Sequence, residues 1–276
     1  MSFSGQAVWI TGASSGIGAA LARALANQGA RLILSGRNVA ALEAVAADCG
    51  ETLVLPFETT DRAAIAPAIE QALQWSAKSS GGIDLLVNNA GISQRSLAVD
   101  TAMAVYDRII DVDLLAPIAL TQAVLPHMAK RGSGRIAMIS SIAGKVGVPL
   151  RTAYSAAKFG LAGYADALRA EVAATGIKVH VIYPGSIRTD VSRNALTSDG
   201  TRRGASDKAI DNGIDPDVAA ADMLSAMLRG EREIIIAEGA ERAMGELRRT
   251  PDALFDQIAA MMAAGYAERM KAEISE

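Results

Sequence analysis

A single cysteine, Cys49, excludes any internal disulfide and points to reducing surroundings. Histidine is almost as scarce. The two present, His127 and His180, lack metal-like neighbours, and no cluster of His, Cys and carboxylates has ligand spacing, so both read as structural and no metal is expected. Aromatic residues make up only 4% of the chain while 50% is apolar, so the core must be built from Ala, Val, Ile and Leu. Charge of one sign is missing too. With 27 basic and 30 acidic residues the net charge is −3, which gives no electrostatic reason to expect a nucleic acid or an acidic membrane as partner. No basic n-region followed by an apolar h-region opens the chain, and no uninterrupted apolar run reaches about 18 residues. The expectation is a soluble, cytoplasmic protein without an integral membrane segment.

What is present is a repeated unit. Short apolar runs at Ala7–Ile10, Arg31–Ser35, Thr52–Pro56, Ile83–Val87, Arg135–Ser140, Lys178–Ile182 and Glu233–Ala237 read as strands. Helical stretches lie between them: Ile17–Gln28, Val39–Asp48, a segment from the cap Asp61 to about Ser76, Thr101–Ile110, Leu114–Lys130 and Thr152–Ala174. Such alternation predicts a single α/β domain over 1–240. It is a doubly wound, Rossmann-type sheet of seven parallel strands with helices on both faces. Ligands bind such sheets at the carboxyl ends of the strands. Residues 194–212 are polar and Gly/Ser-rich, which suits a mobile loop. The extension 241–276 carries apolar residues Leu254, Phe255, Ile258, Met261, Met262, Tyr266 and Met270 at roughly helical spacing. It is expected to pack on its own domain or on a sister subunit.

Between the first strand and the first helix stands Thr11–Gly12–Ala13–Ser14–Ser15–Gly16–Ile17–Gly18. Glycines at 12, 16 and 18 permit a tight turn and close approach of backbone to a ligand. The helix start then aims free N–H groups at a pyrophosphate, and Ser14 and Ser15 add hydroxyl donors. After the second strand comes Gly36–Arg37, where an NAD-selective site carries a carboxylate for the ribose 2′-OH. An arginine without that carboxylate favours NADP(H), with NAD(H) as the alternative. Tyr154 and Lys158 are four apart on a predicted helix and share a face. A phenol ordinarily titrates near about 10, and a neighbouring ammonium favours the phenolate needed to exchange a proton with a carbinol.

The pattern T-G-x-x-x-G-x-G resembles that of the short-chain dehydrogenase/reductase family, and further motifs occur in the family's order from about Val8 to Gly239. The resemblance implies that Asn89, Ala90 and Gly91 border the adenosine ribose and brace the sheet. It implies that Pro184, Gly185, Ile187 and Thr189 lie under the nicotinamide, and that Glu58, followed by Thr59, stands where the family has an adenine-side Asp. Ser141, thirteen residues before Tyr154, matches the catalytic serine that holds the substrate oxygen. Lys158 is implied to bind the nicotinamide ribose and join a water relay. One position departs: Asp111–Val112–Asp113–Leu114 stands where the family reads D-V-N-L. Asp113 lacks the amide donor. As an anion it would raise both neighbouring pKa values; it could also be protonated, or accept the relay water's bonds without harm.

The expected activity is NADP(H)-dependent interconversion of a carbonyl and an alcohol on a small, hydrophobic substrate by a homodimer or homotetramer. A 3-oxoacyl or steroid-type reductase is the alternative within the fold. A nucleotide-sensing or scaffolding protein, catalytically weak because of Asp113, is the alternative from another class. The substrate pocket is expected between residues 93–97, 142–150 and 186–212.

Overall fold

The computed structural model describes residues 2–77 and 81–265. Seven strands form one sheet: β1 (Ala7–Thr11), β2 (Arg31–Ser35), β3 (Thr52–Val54), β4 (Leu85–Asn88), β5 (Gly134–Ile139), β6 (Ile177–Pro184) and β7 (Glu233–Ile236). All pairings are parallel, in the order β3-β2-β1-β4-β5-β6-β7. The order reverses between β1 and β4, and that switch point opens a crevice at the carboxyl ends of both strands. The doubly wound architecture expected from the alternating pattern is the one observed.

Strand side chains alternate between two cores because successive residues face opposite sides of a sheet. Val8, Ile10, Leu32 and Leu34 pack beneath α1 (Gly16–Ala26) and α8 (Pro216–Arg229), with Leu21, Leu25, Met223 and Leu224. Trp9, Ile33, Leu86 and Ile136 face the other way. They meet Ile65 and Ile69 of α3 (Arg62–Ser76), Leu120 and Val124 of α5 (Ala116–Arg131), and Leu161 and Leu168 of α6 (Thr152–Glu171). Trp9 is fully buried, and its indole N–H donates to Ser35 Oγ at 2.8 Å, so no donor is stranded. The remaining helices are α2 (Val39–Ala47), α4 (Met103–Ile110), α7 (Lys208–Asp211), α9 (Gly239–Leu247) and α10 (Asp252–Ala263).

Two helices were expected around Asp111–Leu114. The structure joins them into one 29-residue helix, Met103–Arg131, through a single π-helical turn at Asp111–Leu115. By length and composition alone this helix is apolar enough to cross a membrane. In the fold, its residues Leu120, Val124 and Met128 are core. The wide turn points Asp113, fully buried, inward.

Helix α8 starts cleanly at Asp215, whose carboxylate accepts the Asp217 N–H at 2.9 Å, with Pro216 at the first helical position. In the extension, α10 lays Phe255 under the guanidinium of Arg169 from α6. The apolar stripe expected as far as Met270 is described only to residue 265; Tyr266 and Met270 lie outside the described residues.

Candidate active site

A cleft of about 620 Å³ opens at the switch point. Its floor is the turn after β1. Gly12 has φ +64°, and a Cβ there would lie 2.8 Å from Ala90 Cα, so only glycine lets the turn pack on the chain after β4. Asn89 fixes that packing. Its side-chain amide donates to Thr11 O at 2.9 Å and Gly12 O at 3.1 Å, while Thr11 Oγ1 accepts the N–H groups of Asn89 and Ala90. Asn89 is therefore first a brace between β1 and β4.

Helix α1 begins over this turn with Ser15 at its cap. No side chain caps its free N–H groups, and its first turn carries no acid. Ser14, Ser15, Gly16 and Ile17 all face the cleft, and Thr189 closes in from the opposite wall. Uncapped amides at a positive dipole end suit a pyrophosphate. The cradle thus fits the dinucleotide that the sequence implies.

At the far end Arg37, exposed, lies 3.5 Å from Glu58, and Arg108 of α4 reaches the same carboxylate at 3.5 Å. Burial pushes the Glu58 carboxyl up, but the Thr60 N–H and the two guanidinium groups outweigh it and hold the carboxyl below its usual range. Thr59 also lines this end. Arg108 was not among the expected residues. It sits near the end of an amphipathic helix, and nothing in its spacing ties it to the glycine turn.

At the other end stand Tyr154, Lys158 and Asp113. Tyr154 and Lys158 lie one turn apart on α6, with Lys158 Nζ 5.6 Å from the phenol ring centre. Lys158 Nζ donates to Ile139 O at 3.0 Å and lies 3.3 Å from Asp113 Oδ2. Asp113 Oδ1 accepts the Ile92 N–H at 2.8 Å, whereas Oδ2 takes part in no aligned hydrogen bond, so its attraction to Lys158 is an ionic contact. Both groups are buried. For Lys158 burial acts downward, but the Asp113 carboxylate and Tyr154 outweigh it, and the ammonium titrates above its ordinary value. Burial pushes the Asp113 carboxyl up against the pull of Lys158 and the Ile92 N–H. The two directions oppose each other, because a protonated Asp113 would no longer raise Lys158. The ion pair is the state in which the short Ile92 bond and the Lys158 contact both favour the charge Asp113 carries.

Ser141 follows β5 and does not line the cleft wall as Ser140 does. Its hydroxyl accepts the Ala143 N–H at 3.1 Å, capping a one-turn 3₁₀ helix, and donates weakly to Pro184 O at 3.4 Å. Ser140 holds the helix against the sheet, donating to Lys158 O at 2.9 Å. Pro184, Gly185, Ile187 and Thr189 border the cleft beside Tyr154 and Lys158.

Of the three stretches expected on the substrate side, 186–212 lines the wall, with Val191, Leu196 and Ile210 beside the polar Asp190, Asn194 and Arg202. No residue from 93–97 or 142–150 does; Ile92 and Val112 take their place. Gln94 turns inward instead and its side-chain Oε1 accepts the Ala153 N–H at 2.9 Å, satisfying the start of α6. Ile142 is taken into the core. The loop over residues 194–212, expected to be mobile, is tied down at several points: Leu196 exchanges backbone hydrogen bonds with Ser93 and Arg95 at 2.8 Å, and the Ala102 N–H donates to Ser198 O at 2.8 Å. Asp207 binds Arg95 at 2.7 Å, Arg203 at 2.5 Å and Arg151 at 3.3 Å. Burial raises the Asp207 carboxyl, yet the hydrogen bonds from Arg203 and Arg95 win and hold it at about 2.

His180 is buried in β6, its Nδ1 2.6 Å from Glu231 O, and burial pulls it down to about 4. It lies away from this cleft.

Comparison with known proteins agrees with this geometry. The family model described as short chain dehydrogenase matches residues 6–199. The chain is 38% identical over 266 residues to dehydrogenase/reductase SDR family member 7B of Bos taurus, covering 93% of this chain and 81% of that one. A short-chain dehydrogenase from Streptomyces avermitilis superposes with a TM-score of 0.75 at 29% identity, over 96% of this chain and 99% of that one. A metagenomic short-chain oxidoreductase solved in complex with NADP gives a TM-score of 0.69 at 32% identity, over 86% and 98%.

Proposed function

The chain belongs to the short-chain dehydrogenase/reductase family of oxidoreductases, and from that premise we propose that it interconverts a carbonyl and an alcohol using NADP(H), with Tyr154 as the general acid/base. The observation that carries the reading is the presence of Tyr154, Lys158 and the uncapped glycine turn on one cleft. The dinucleotide, when bound, supplies or accepts the hydride. Tyr154 gives a proton to the substrate oxygen or takes it back. The Lys158 ammonium favours the phenolate by charge, and Ser141, at the position of the family's catalytic serine, orients the substrate oxygen by turning its hydroxyl from the weak 3.4 Å bond to Pro184 O toward the cleft. The apolar wall of Ile92, Val112, Leu196 and Ile210 supports a small substrate with a hydrophobic body. A panel of aldehydes, ketones, a 3-oxoacyl thioester and a steroid ketone, assayed with NADPH and with NADH, tests the reading. Binding of NADPH without turnover of any carbonyl would favour a nucleotide sensor instead.

Arg37 carries the cofactor preference. With Gly36 offering no carboxylate to the ribose 2′ position, its guanidinium is free to turn from Glu58 to a 2′-phosphate. Arg37→Ser is expected to raise the KM for NADPH about tenfold and to leave that for NADH within about twofold, since a charge-assisted phosphate contact is lost. Equal effects on both cofactors would count against it.

The charge on Asp113 sets the working pH. An anion beside Lys158 stabilises protonated forms, so removing it releases the proton at lower pH. Asp113→Asn should therefore move the acid limb of kcat/KM for alcohol oxidation to lower pH by roughly one unit. Superimposable profiles for the two proteins would mean that this charge does not reach the proton transfer.

A further inference from the structure

The extension after β7 does not simply cover the sheet. Helix α9 runs back across the loop between Pro184 and Thr189, and its Glu241 reaches into that loop with both carboxylate oxygens. Oε2 accepts the Ser186 backbone N–H at 2.7 Å and Oε1 accepts the Ser186 hydroxyl at 2.9 Å. The approach is close enough that a Cβ on the preceding residue, Gly185, would overlap the carboxylate and stand 2.9 Å from Ala237 Cβ. Ser186 itself is held elsewhere by backbone, while side chains reach only the ends of the loop, with the Ser141 hydroxyl on Pro184 O at 3.4 Å and Arg188 paired with Asp215. The Gly185 N–H donates to Ile236 O at 2.9 Å, Ser186 O accepts the Ile214 N–H at 3.0 Å, and the Arg188 N–H donates to Ile214 O at 2.9 Å.

Glu241 is itself firmly placed, because the far end of its helix is anchored. Gly245 packs on Ile142 and Ile235, and a Cβ there would lie 2.9 Å from Ile142 Cδ1. Just beyond, Arg248 O accepts Lys145 Nζ at 2.9 Å, and the same ammonium donates to both oxygens of Glu233 at 3.0 Å. The Thr250 N–H donates to Glu233 Oε2 at 3.0 Å. Lys145 and Glu233 are both buried, and Lys145 closes the turn that begins at Ser141. The turn after β5, the start of β7 and the loop after β6 are thus all fastened to one stretch, residues 239–250.

We propose that Glu241 is a positioning residue for the nicotinamide end of the cleft, presetting Ser186 and with it Gly185 and Ile187. Helix α9 then belongs to the cofactor site although none of its residues lines the cleft; it acts from behind the wall, through Gly185 and Ser186. The inference rests on the reading above that the Pro184–Thr189 loop borders the nicotinamide. A preset loop lowers the ordering cost of binding, so its loss appears in affinity for the cofactor before it appears in affinity for the carbonyl.

The test uses the full-length chain with Glu241→Ala, Glu241→Gln and, as a control on the same helix, Glu246→Ala. Among the described residues Glu246 forms ion pairs only with the exposed Arg242 and Arg249. Three quantities are read: the Kd for NADPH by fluorescence titration, amide exchange over residues 185–189 without cofactor, and the KM for the carbonyl. For Glu241→Ala the Kd should rise about tenfold and the Ser186 amide should exchange at least about tenfold faster, with the carbonyl KM nearly unchanged. Glu241→Gln should recover most of both, because its amide oxygen still accepts the Ser186 N–H. Glu246→Ala should move neither. Faster exchange at an unchanged Kd, or equal effects in Glu246→Ala and Glu241→Ala, would overturn the proposal as a merely structural contact. A wild-type chain that binds no NADPH would sink the dehydrogenase reading instead. The anchoring itself would then be judged by exchange alone, upheld by a change confined to 185–189 and overturned by none. Should Glu241→Ala not fold, the same comparison is made with Ser186→Ala, which removes the hydroxyl that donates to Glu241, with Glu241→Gln kept as the near-parental reference.

Discussion

Tyr154→Phe should lower turnover by about 10²–10⁴-fold while NADPH binds within about twofold of the parent, the range expected when a general acid/base is removed and nothing else. The substitution deletes one oxygen and leaves the ring, which packs beside Leu114, Ile92 and Leu196 against Val105 and Ile109. Thermal stability should therefore scarcely change. The comparison separates catalysis from a binding-only role more cleanly than any alteration of the glycine turn, which would remove both at once. If a biological activity of the chain survived in Tyr154→Phe, a nucleotide-sensing role would replace the enzymatic one.

Lys158→Met is expected to damage the fold as well as the chemistry. Asp113 is fully buried, and its charge is matched by Lys158 at 3.3 Å and by one N–H from Ile92. Removing the ammonium strands a carboxylate in the core, for which about 3–5 kcal/mol of destabilisation is the usual size. The loss should be partial rather than complete if the carboxyl takes up a proton, a response toward which burial already drives it. Adding Asp113→Asn to Lys158→Met removes the stranded charge, so the double variant should be more stable than Lys158→Met alone by a few kcal/mol, on the order of the pair's coupling. Urea denaturation of the four proteins measures this directly. A cost below about 1 kcal/mol for Lys158→Met, with no recovery in the double variant, would mean that the two groups do not form an ion pair.

Most of what positions this site was legible in the residue order, for local reasons. Strands buried on both faces are apolar without interruption along their middles, so residues 7–10 and 32–34 announce themselves. The glycine turn is forced by close packing, and Tyr154 and Lys158 by helical spacing. What was not legible depends on contacts distant in sequence. Arg108 joins Glu58 across 50 positions, and Glu241 joins Ser186 across 55. Neither has a neighbour whose spacing betrays it. Ile142 and Gln94 look like pocket residues by position, and each is claimed by packing: one by the core, the other by the free amide at the start of α6. The Asp215–Pro216 start of α8 did carry a local signal, overshadowed by the polar loop before it.

The π-helical turn at Asp111–Leu115 has a consequence for how such a site comes to exist. One residue more in a turn shifts the phase of everything after it by about 100°, since an α-helix advances about 3.6 residues per turn. The face that α4 shows to Ala153 and Ala157 and the face that α5 shows to the sheet are therefore set independently, although they belong to one continuous rod. A single inserted position does the work of a joint without breaking the rod. Removing it would rotate Leu120, Val124 and Met128 off the core while Asp113 swung out of reach of Lys158, so the packing and the charge pair stand or fall on the same extra residue.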